Sequence, residues 1–167
     1  MKIKKIMSLL AVCALALAGC AGGKEESKVP EGWVADTVAD FVEFAYPEDF
    51  DYPTPQFFGW TNAHASQNRS NYVAGNYSAD FPEITAAQAQ FVAQGLTANM
   101  ALGKYEDLEI NGRKTKAIDY TVTTNNFPGR VWFIQIDDTT VVSIAAFFEE
   151  SRKADLDKVG ESIRVLK

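Results

Sequence analysis

Two long apolar segments constrain the fold of this chain more than any other sequence feature. Residues 131–136 and 141–148 are apolar at nearly every position, and the turn-forming residues 137–139 separate them. A strand with one face in water would alternate polar and apolar side chains. Because these segments do not alternate strictly, they predict an antiparallel hairpin whose two faces are both covered by other parts of the protein.

A second hairpin is predicted just before these segments. Residues 108–110 lead into Asn111-Gly112, which is the strongest short signal for a two-residue hairpin turn. The returning strand carries apolar side chains at every second position of residues 118–122, so these side chains share one face of the sheet. The two hairpins together predict four consecutive strands.

Two helices are predicted to flank these strands. Residues 85–102 carry apolar side chains at helical spacing. We predict that this helix begins with a capping box, in which Thr85 and Gln88 bond free backbone amides, and that it stops at Gly103. The second helix is predicted over residues 153–165.

The first third of the chain fits more than one assignment. Residues 57–61 and 72–77 are predicted as strands, whereas residues 35–46 fit both a helix and a strand. We favour a strand over residues 41–46, because Pro47 pushes the preceding residue into an extended conformation. The complete prediction is an α+β fold of order β-β-β-α-β-β-β-β-α, with a twisted antiparallel sheet and helices on both faces.

The N-terminus has the organisation of an export signal. Three lysines within the first five residues precede a mostly apolar run over residues 6–18, which is too short for an ordinary spanning helix. The run ends in the sequence LAGC at residues 17–20, which resembles a bacterial lipobox. The resemblance implies that residues 1–19 are removed as a signal peptide and that Cys20 is lipidated. The alternatives are an ordinary secretory signal and a short membrane anchor.

Lipidation would determine the location of the mature protein. Residues 20–30 are polar and lack apolar periodicity, so they predict a flexible membrane tether that reaches at most about 35 Å. Residues 31–167 contain no repeat and no second linker, and they predict a single globular domain. We therefore predict an extracytoplasmic protein that lipid on Cys20 anchors to the cell membrane, or to the outer membrane of a cell that has one.

Charge and residue counts exclude several classes of function. Cleavage before Cys20 would leave 13 basic and 22 acidic residues, a formal charge of −9, which argues against nucleic-acid binding through a basic surface. The predicted domain contains no cysteine, and His64 is its one histidine. A cysteine nucleophile and a metal site built from several histidines or cysteines are therefore excluded. We predict no metal and no cofactor.

Three segments between about residues 35 and 167 carry a family resemblance. Residues 44–50, FAYPEDF, resemble the aromatic-x-aromatic-Pro-x-x-aromatic opening of PsbP-like proteins, and residues 110–112 with their long return strand resemble the central hairpin of that family. Residues 157–166 resemble its closing helix, although Ile163 stands where the family more often has an aromatic residue. The resemblance implies a PsbP-like αβα sandwich with a non-catalytic binding or assembly role, and it supplies no active-site residue.

Two groups of residues are candidate contacts for a ligand or partner. Aromatic residues crowd into residues 50–60, where some rings could line an exposed groove. Basic residues cluster after the predicted hairpin turn, where they could contact an anionic envelope polymer, a lipid headgroup or an acidic partner, or could protect a sheet edge. The candidates are Phe50, Tyr52, Phe57, Phe58, Trp60, Arg113, Lys114 and Lys116.

Two further groups of residues could take part in catalysis or metal binding, but each has a simpler structural interpretation. His64 could act as a catalytic base, but no Gly-x-Ser-x-Gly motif accompanies it, and we interpret it as a surface histidine in a polar loop. Glu48, Asp49 and Asp51 form an acidic cluster, in which Asp49 and Asp51 could offer oxygen ligands to Ca²⁺. They lack the spacing of a calcium loop, and we interpret them as a solvated acidic loop.

These observations predict a lipid-anchored accessory protein that binds an envelope protein or polymer and is not an enzyme. The alternative is a small-solute-binding lipoprotein that uses the aromatic residues at 50–60. A hydrolase that uses His64 is the third hypothesis.

Overall fold

The computed structural model describes residues 28–53, 55–60, 62–78, 83–97 and 99–167. Its strands are β1 Trp33–Val38, β2 Val42–Pro47, β3 Asn62–Ala65, β4 Tyr72–Ser78, β5 Met100–Ile110, β6 Arg113–Val122, β7 Phe127–Asp137, β8 Thr140–Phe147 and β9 Arg164–Val165. Its helices are α1 Ile84–Thr97 and α2 Asp155–Ser162, with a 3-10 turn at Glu150–Arg152. None of the described helices is long and apolar enough to span a bilayer. The predicted signal peptide and Cys20 lie outside the described residues.

The strands form two antiparallel sheets. The large sheet has the order β3-β4-β8-β7-β6-β5, and the small sheet has the order β1-β2-β9. The predicted αβα sandwich, with helices on both faces of a sheet, is therefore wrong, because the fold is mostly β and a helical layer does not cover both faces. The small sheet packs on the large one where a helical layer was expected, since its strands supply the apolar side chains Val38, Val42 and Phe44.

Both faces of β7 and β8 are buried, as the sequence predicts. On one face, Ile134 and Ile144 pack in a core with Phe44 of the small sheet. On the other face, Phe133 packs in a second core with Phe91 of α1. The near-continuous apolar segments are therefore explained by a small sheet on one side and α1 on the other.

The first helix is shorter than predicted. It begins at Ile84, so Thr85 lies inside the helix rather than before it, and it ends at Thr97. Asn99 then adopts a positive φ of 57°, which a continuing α-helix does not allow. Leu102, predicted as the last helical residue, instead lies in β5 and pairs with β6.

The predicted strand at residues 57–61 is also wrong. Phe58 and Gly59 have positive φ values of 48° and 76°, and the amide of Trp60 donates to the carbonyl of Phe57 at 2.7 Å. Residues 57–60 therefore form a turn, residue 61 lies outside the described residues, and strand β3 begins at Asn62.

The strand preferred for residues 41–46 is confirmed by β2. β1 precedes it and was not predicted, because the apolar stripe that suggested a helix is divided between these two strands. The last helix is shorter than predicted because the chain becomes extended at Ile163 and then pairs with β2 as β9.

The two sheets approach each other closely at Gly75 of β4. A Cβ atom at this position would overlap the Val38 side chain and would lie 3.1 Å from Cε1 of Phe44. A separate buried contact joins α2 to β2, where the amide of Ala45 donates to Oγ of Ser162 at 2.9 Å. Glycine in the sheet and serine at the helix end therefore determine how closely the layers pack.

Candidate functional site

A groove lies on the large sheet beside α2. It consists of two adjoining cavities of about 530 and 400 Å³, which share Arg130, Leu156 and Asp157. Strands β5, β6 and β7 form its floor, and α2 forms one wall. We call this feature the α2 groove.

Arg130 is the central side chain of the groove floor. It donates a hydrogen bond from Nη2 to the carboxylate of Glu106, and its Nε lies 3.5 Å from Oδ1 of Asp119. Its guanidinium carbon lies 5.8 Å from the ring centre of Trp132. The hydrogen bond from Arg130 is the main cause that lowers the pKa of Glu106, so this carboxylate is ionised at neutral pH.

A close contact between helix and sheet shapes the groove. Gly160 of α2 lies against Trp132, since a Cβ atom at this glycine would be 3.0 Å from the indole ring. The half-buried side chains of Leu108, Ile110 and Leu156 provide apolar surface beside this contact. The groove therefore combines apolar surface with charged groups.

Acidic residues outnumber basic residues around the α2 groove. The two basic lining residues are Arg130 and Lys153. The acidic lining residues are Glu106, Glu109, Asp119, Asp157 and Glu161. Within the described part of the chain, neither Asp157 nor Glu161 lies within 4.0 Å of a basic nitrogen. The groove therefore has an excess of negative charge.

Sequence reasoning missed this groove. Its one signal is Arg130, the only basic residue between positions 117 and 151, which directly precedes the apolar segment of β7. Glu106, its hydrogen-bond partner, lies 24 residues away, and Asp119 faces it only because β6 and β7 pair in that register. The arrangement is therefore a product of strand pairing.

The aromatic residues predicted as a ligand groove are divided between two cores. Phe50 is buried in the core between the sheets, where its ring centre lies 5.9 Å from that of Phe148. Phe57 is buried in the α1 core. Phe58 and Trp60 are half-buried beside that same core.

Tyr52 lies apart from these rings. It is half-buried, and the guanidinium carbon of Arg69 lies 5.6 Å from its ring centre. The five predicted aromatic residues therefore do not share one groove among the described residues.

The three predicted basic residues lie on β6 but on different faces. Lys116 forms an ion pair with Asp107 on the neighbouring strand. Arg113, on the opposite face, donates to the carbonyl of Lys167 at 3.3 Å, and Lys114 is exposed. Strand alternation therefore separates residues that are adjacent in the sequence.

His64 joins the two sheets rather than lying in an exposed loop. It belongs to β3, and its Nε2 lies 2.8 Å from Oδ2 of Asp36 on β1. Its ring stacks on Tyr46 of β2, with ring centres 3.6 Å apart and planes 6° apart. No serine or threonine hydroxyl in the described segments bonds to His64. The geometry gives His64 a structural contact, which the sequence did not predict.

Replacing Asp36 with asparagine should make the stability of the fold less sensitive to acid. Burial raises the pKa of Asp36, but hydrogen bonds from His64, Asn62 and the Thr37 amide outweigh burial, so the pKa lies below its ordinary value of 3.8. The ionised carboxylate therefore stabilises the fold above that value, and this contribution is lost as the pH falls through the lower native pKa. We expect Asp36→Asn to cost about 1 kcal/mol at neutral pH and progressively less in acid.

Thermal unfolding measured at a series of pH values checks this result. Asp40→Asn, the same change in the exposed turn of the same hairpin, is the matched control and should preserve the wild-type profile. A wild-type pH profile for Asp36→Asn would contradict the prediction.

The acidic cluster at residues 48–51 contributes to an ion pair. Asp49 Oδ2 accepts a hydrogen bond from Nη1 of Arg152 at 2.9 Å, and Arg152 also bonds Asp155. The described residues contain no group of three or more His, Cys, Asp or Glu that could hold a metal ion. The lipidation residue Cys20 lies outside the described residues.

Comparison with known proteins gives a structural match. No protein-family model and no curated protein sequence matches the chain. The solution structure of cyanobacterial PsbP (CyanoP) from Synechocystis sp. PCC 6803 matches with a TM-score of 0.54 and 16% sequence identity, covering 89% of this chain and 98% of that chain. A protein of unknown function from Pseudomonas aeruginosa, described as a putative regulator, matches with a TM-score of 0.43 and 12% identity, covering 77% and 91%.

The match with CyanoP extends over most of both chains, and its TM-score supports a shared fold. The predicted resemblance is therefore confirmed for the fold, although the arrangement of helices was predicted wrongly. The chain has a PsbP-like fold.

Proposed function

We propose that this protein is an extracytoplasmic lipoprotein whose globular domain binds another protein and catalyses no reaction. The α2 groove is the observation that carries the binding role, because it places apolar side chains and charged groups together on an accessible surface. Specific protein-binding surfaces combine these two kinds of group. The accessory role implied by the PsbP-like sequence resemblance is consistent with this proposal.

The proposed anchor rests on the sequence of the N-terminus. The lysines, the short apolar run and the LAGC motif follow one another in the order of a lipoprotein signal. Lys28, the first described residue, follows Cys20 by eight positions, a distance that an extended chain spans in about 28 Å. An anchored domain would therefore act close to the membrane surface.

The proposed absence of catalysis is supported by the contacts of His64. This histidine of the large sheet bonds Asp36 and stacks on Tyr46, which both belong to the small sheet, so its contacts join the two sheets. A structural role accounts for each of these contacts.

Replacing Cys20 with alanine should abolish lipid attachment and, with it, contact with the partner. Metabolic labelling with an alkyne fatty acid measures attachment, and membrane fractionation measures location. A photo-crosslinking residue at Asp157 reports on partner contact in whole cells. We expect wild-type protein to be labelled, membrane-bound and crosslinked to a discrete protein, and we expect Cys20→Ala to lose all three properties, because two or more acyl chains are needed for stable anchoring.

Cys13→Ala is the matched control, because it removes the other cysteine of the chain and leaves the LAGC motif intact. This variant should retain the label and the membrane location. Fatty-acid labelling that persists in Cys20→Ala would overturn the anchor. Crosslinking that fails in the wild type, both at Asp157 and at Tyr77, an exposed residue of β4 that does not line the groove, would overturn the binding role.

A further inference from the structure

We propose that the α2 groove and the adjoining edge of β5 bind an extended, basic segment of the partner protein, which adds to the large sheet as a further strand. This inference rests on the proposed binding function and names the chemistry of the partner. Three features support it: a free strand edge, a groove beside that edge, and the negative charge around the groove.

The free edge belongs to β5. This strand is the last in the large sheet and pairs with β6 on one side, while no described strand pairs with its other side. It extends over Met100–Ile110, which makes it one of the longest strands in the protein. A long edge of this kind offers a row of backbone amides and carbonyls to an incoming strand.

The hairpin turn identifies which backbone groups point outward. Asn111 and Gly112 have positive φ values of 48° and 74°, as in a two-residue type I′ turn. The residues that flank such a turn form a hydrogen-bonded pair, and hydrogen-bonded pairs then alternate along the ladder. Leu108 therefore bonds to β6, whereas the amides of Asp107 and Glu109 point to the free edge.

The side chains of β5 place the groove beside this edge. Glu106, Leu108 and Ile110 line the groove, and they occupy alternate positions on one face of the strand. An added strand would continue this face, so every second side chain of the partner would lie over the groove. Backbone pairing would supply affinity, and the groove would select side chains.

The charge of the surface selects a basic segment. Asp157 and Glu161 stand on the wall without a described cationic partner within 4.0 Å, and Glu109 lies on the edge itself. Lysine or arginine side chains of the partner would complement these carboxylates. Between its basic residues, the segment would carry apolar side chains that contact Leu108 and Leu156.

The same charges argue against a second copy of this chain as the occupant. Two β5 edges brought together would place Glu109 of one copy, which has no described cationic partner within 4.0 Å, against the acidic residues of the other copy. Like charges directly opposite each other destabilise paired strands, and acidic edges therefore resist self-association. A basic strand meets no such repulsion.

Binding of a synthetic peptide tests the proposal. The probe is a fluorescent eight-residue peptide in which lysine and valine alternate, and its matched control has glutamate in place of lysine. Fluorescence anisotropy is measured with the full chain in a non-ionic detergent. We expect the lysine peptide to bind at least about tenfold more tightly than the glutamate peptide, and to bind more weakly as salt increases.

Variants of the groove wall and of the β5 edge test separately how charge and backbone pairing contribute to peptide binding. Asp157→Asn combined with Glu161→Gln should weaken binding of the lysine peptide about tenfold, because this double variant removes both exposed charges from the groove wall. Glu109→Pro should abolish binding, whereas Glu109→Gln, which removes the same charge, should only weaken it, because proline alone also removes an outward amide and leaves the pairing with β6 in place. Glu31→Gln combined with Glu48→Gln removes two exposed carboxylates outside the groove and should leave affinity unchanged. Circular dichroism confirms that each variant is folded.

Several outcomes would overturn the proposal. Equal binding of the two peptides would show that the groove does not select basic segments. Wild-type affinity in the variant that combines Asp157→Asn with Glu161→Gln would show the same. Wild-type affinity in folded Glu109→Pro would exclude strand addition. A partner crosslinked at Tyr77 but not at Asp157 would contradict this inference while leaving the proposed binding function intact. Failure at both positions would remove the binding function itself.

Discussion

Phe44→Ala should lower the free energy of unfolding by about 3–5 kcal/mol, the range found when a buried phenylalanine is truncated. Phe44 has no exposed surface and lies in the core between the two sheets. Its ring edge would be 3.1 Å from a Cβ atom at Gly75, which shows how closely it packs on β4. Truncation would leave a cavity where the small sheet rests on the large one. Urea denaturation followed by tryptophan fluorescence measures the change.

Phe127→Ala is the matched control for this prediction. Phe127 is half-buried at the start of β7, and its ring stacks on Phe147 at 6.5 Å. The same truncation at this position should cost clearly less, because part of the ring already contacts water. Equal losses in the two variants would show that Phe44 does not hold the sheets together as described.

Gly129→Ala should destabilise the protein by about 2–5 kcal/mol, through overpacking and through the loss of a buried hydrogen bond. A Cβ atom at Gly129 would overlap the ring of Tyr120 and would lie 2.8 Å from the carbonyl oxygen of Ala146. The Tyr120 hydroxyl donates to that same carbonyl at 2.9 Å, and burial raises the pKa of this tyrosine. Displacing the ring would therefore leave a buried hydroxyl and a buried carbonyl without partners. Thermal and urea unfolding measure the loss.

Two further variants test the cause. Gly95→Ala in α1 should be neutral or stabilising by up to about 1 kcal/mol, because alanine favours a helix and the nearest atom, Cε of Met100, is 3.4 Å away. Tyr120→Phe removes the hydroxyl alone. If Gly129→Ala acts by breaking the hydrogen bond of Tyr120, then the variant that combines Gly129→Ala with Tyr120→Phe should lose less free energy of unfolding than the two single changes added together. Additive losses would contradict the mechanism.

Local pattern was sufficient for the C-terminal strands. The Asn111-Gly112 turn and the two apolar segments of β7 and β8 are confirmed, because hairpin turns and side-chain alternation depend on neighbouring residues. The helix predicted over residues 85–102 is confirmed as α1, but it ends at Thr97 rather than at Leu102. Helical spacing continued past Thr97, but pairing with β6 supplied backbone hydrogen bonds that outweighed it.

Position in the sequence was a poor guide to the candidate sites. The residues from Phe50 to Trp60 are close in the chain, yet the fold assigns them to opposite sides of the large sheet. Conversely, Asp36 and His64 are 28 residues apart and form a hydrogen bond. A contact of this kind depends on how two sheets pack, which no local pattern encodes.

The sequence by itself predicts an export signal, and it determined the acidic charge of the predicted domain, the absence of cysteine after Cys20, and the C-terminal strands that pair as hairpins. These properties follow from composition and from interactions between near neighbours. The tertiary structure decided that a small sheet, rather than a helical layer, covers one face of the large sheet. It also decided that Arg130, Glu106 and Asp119 meet beside α2, because strand register and the close approach of Gly160 to Trp132 join residues that are distant in the chain.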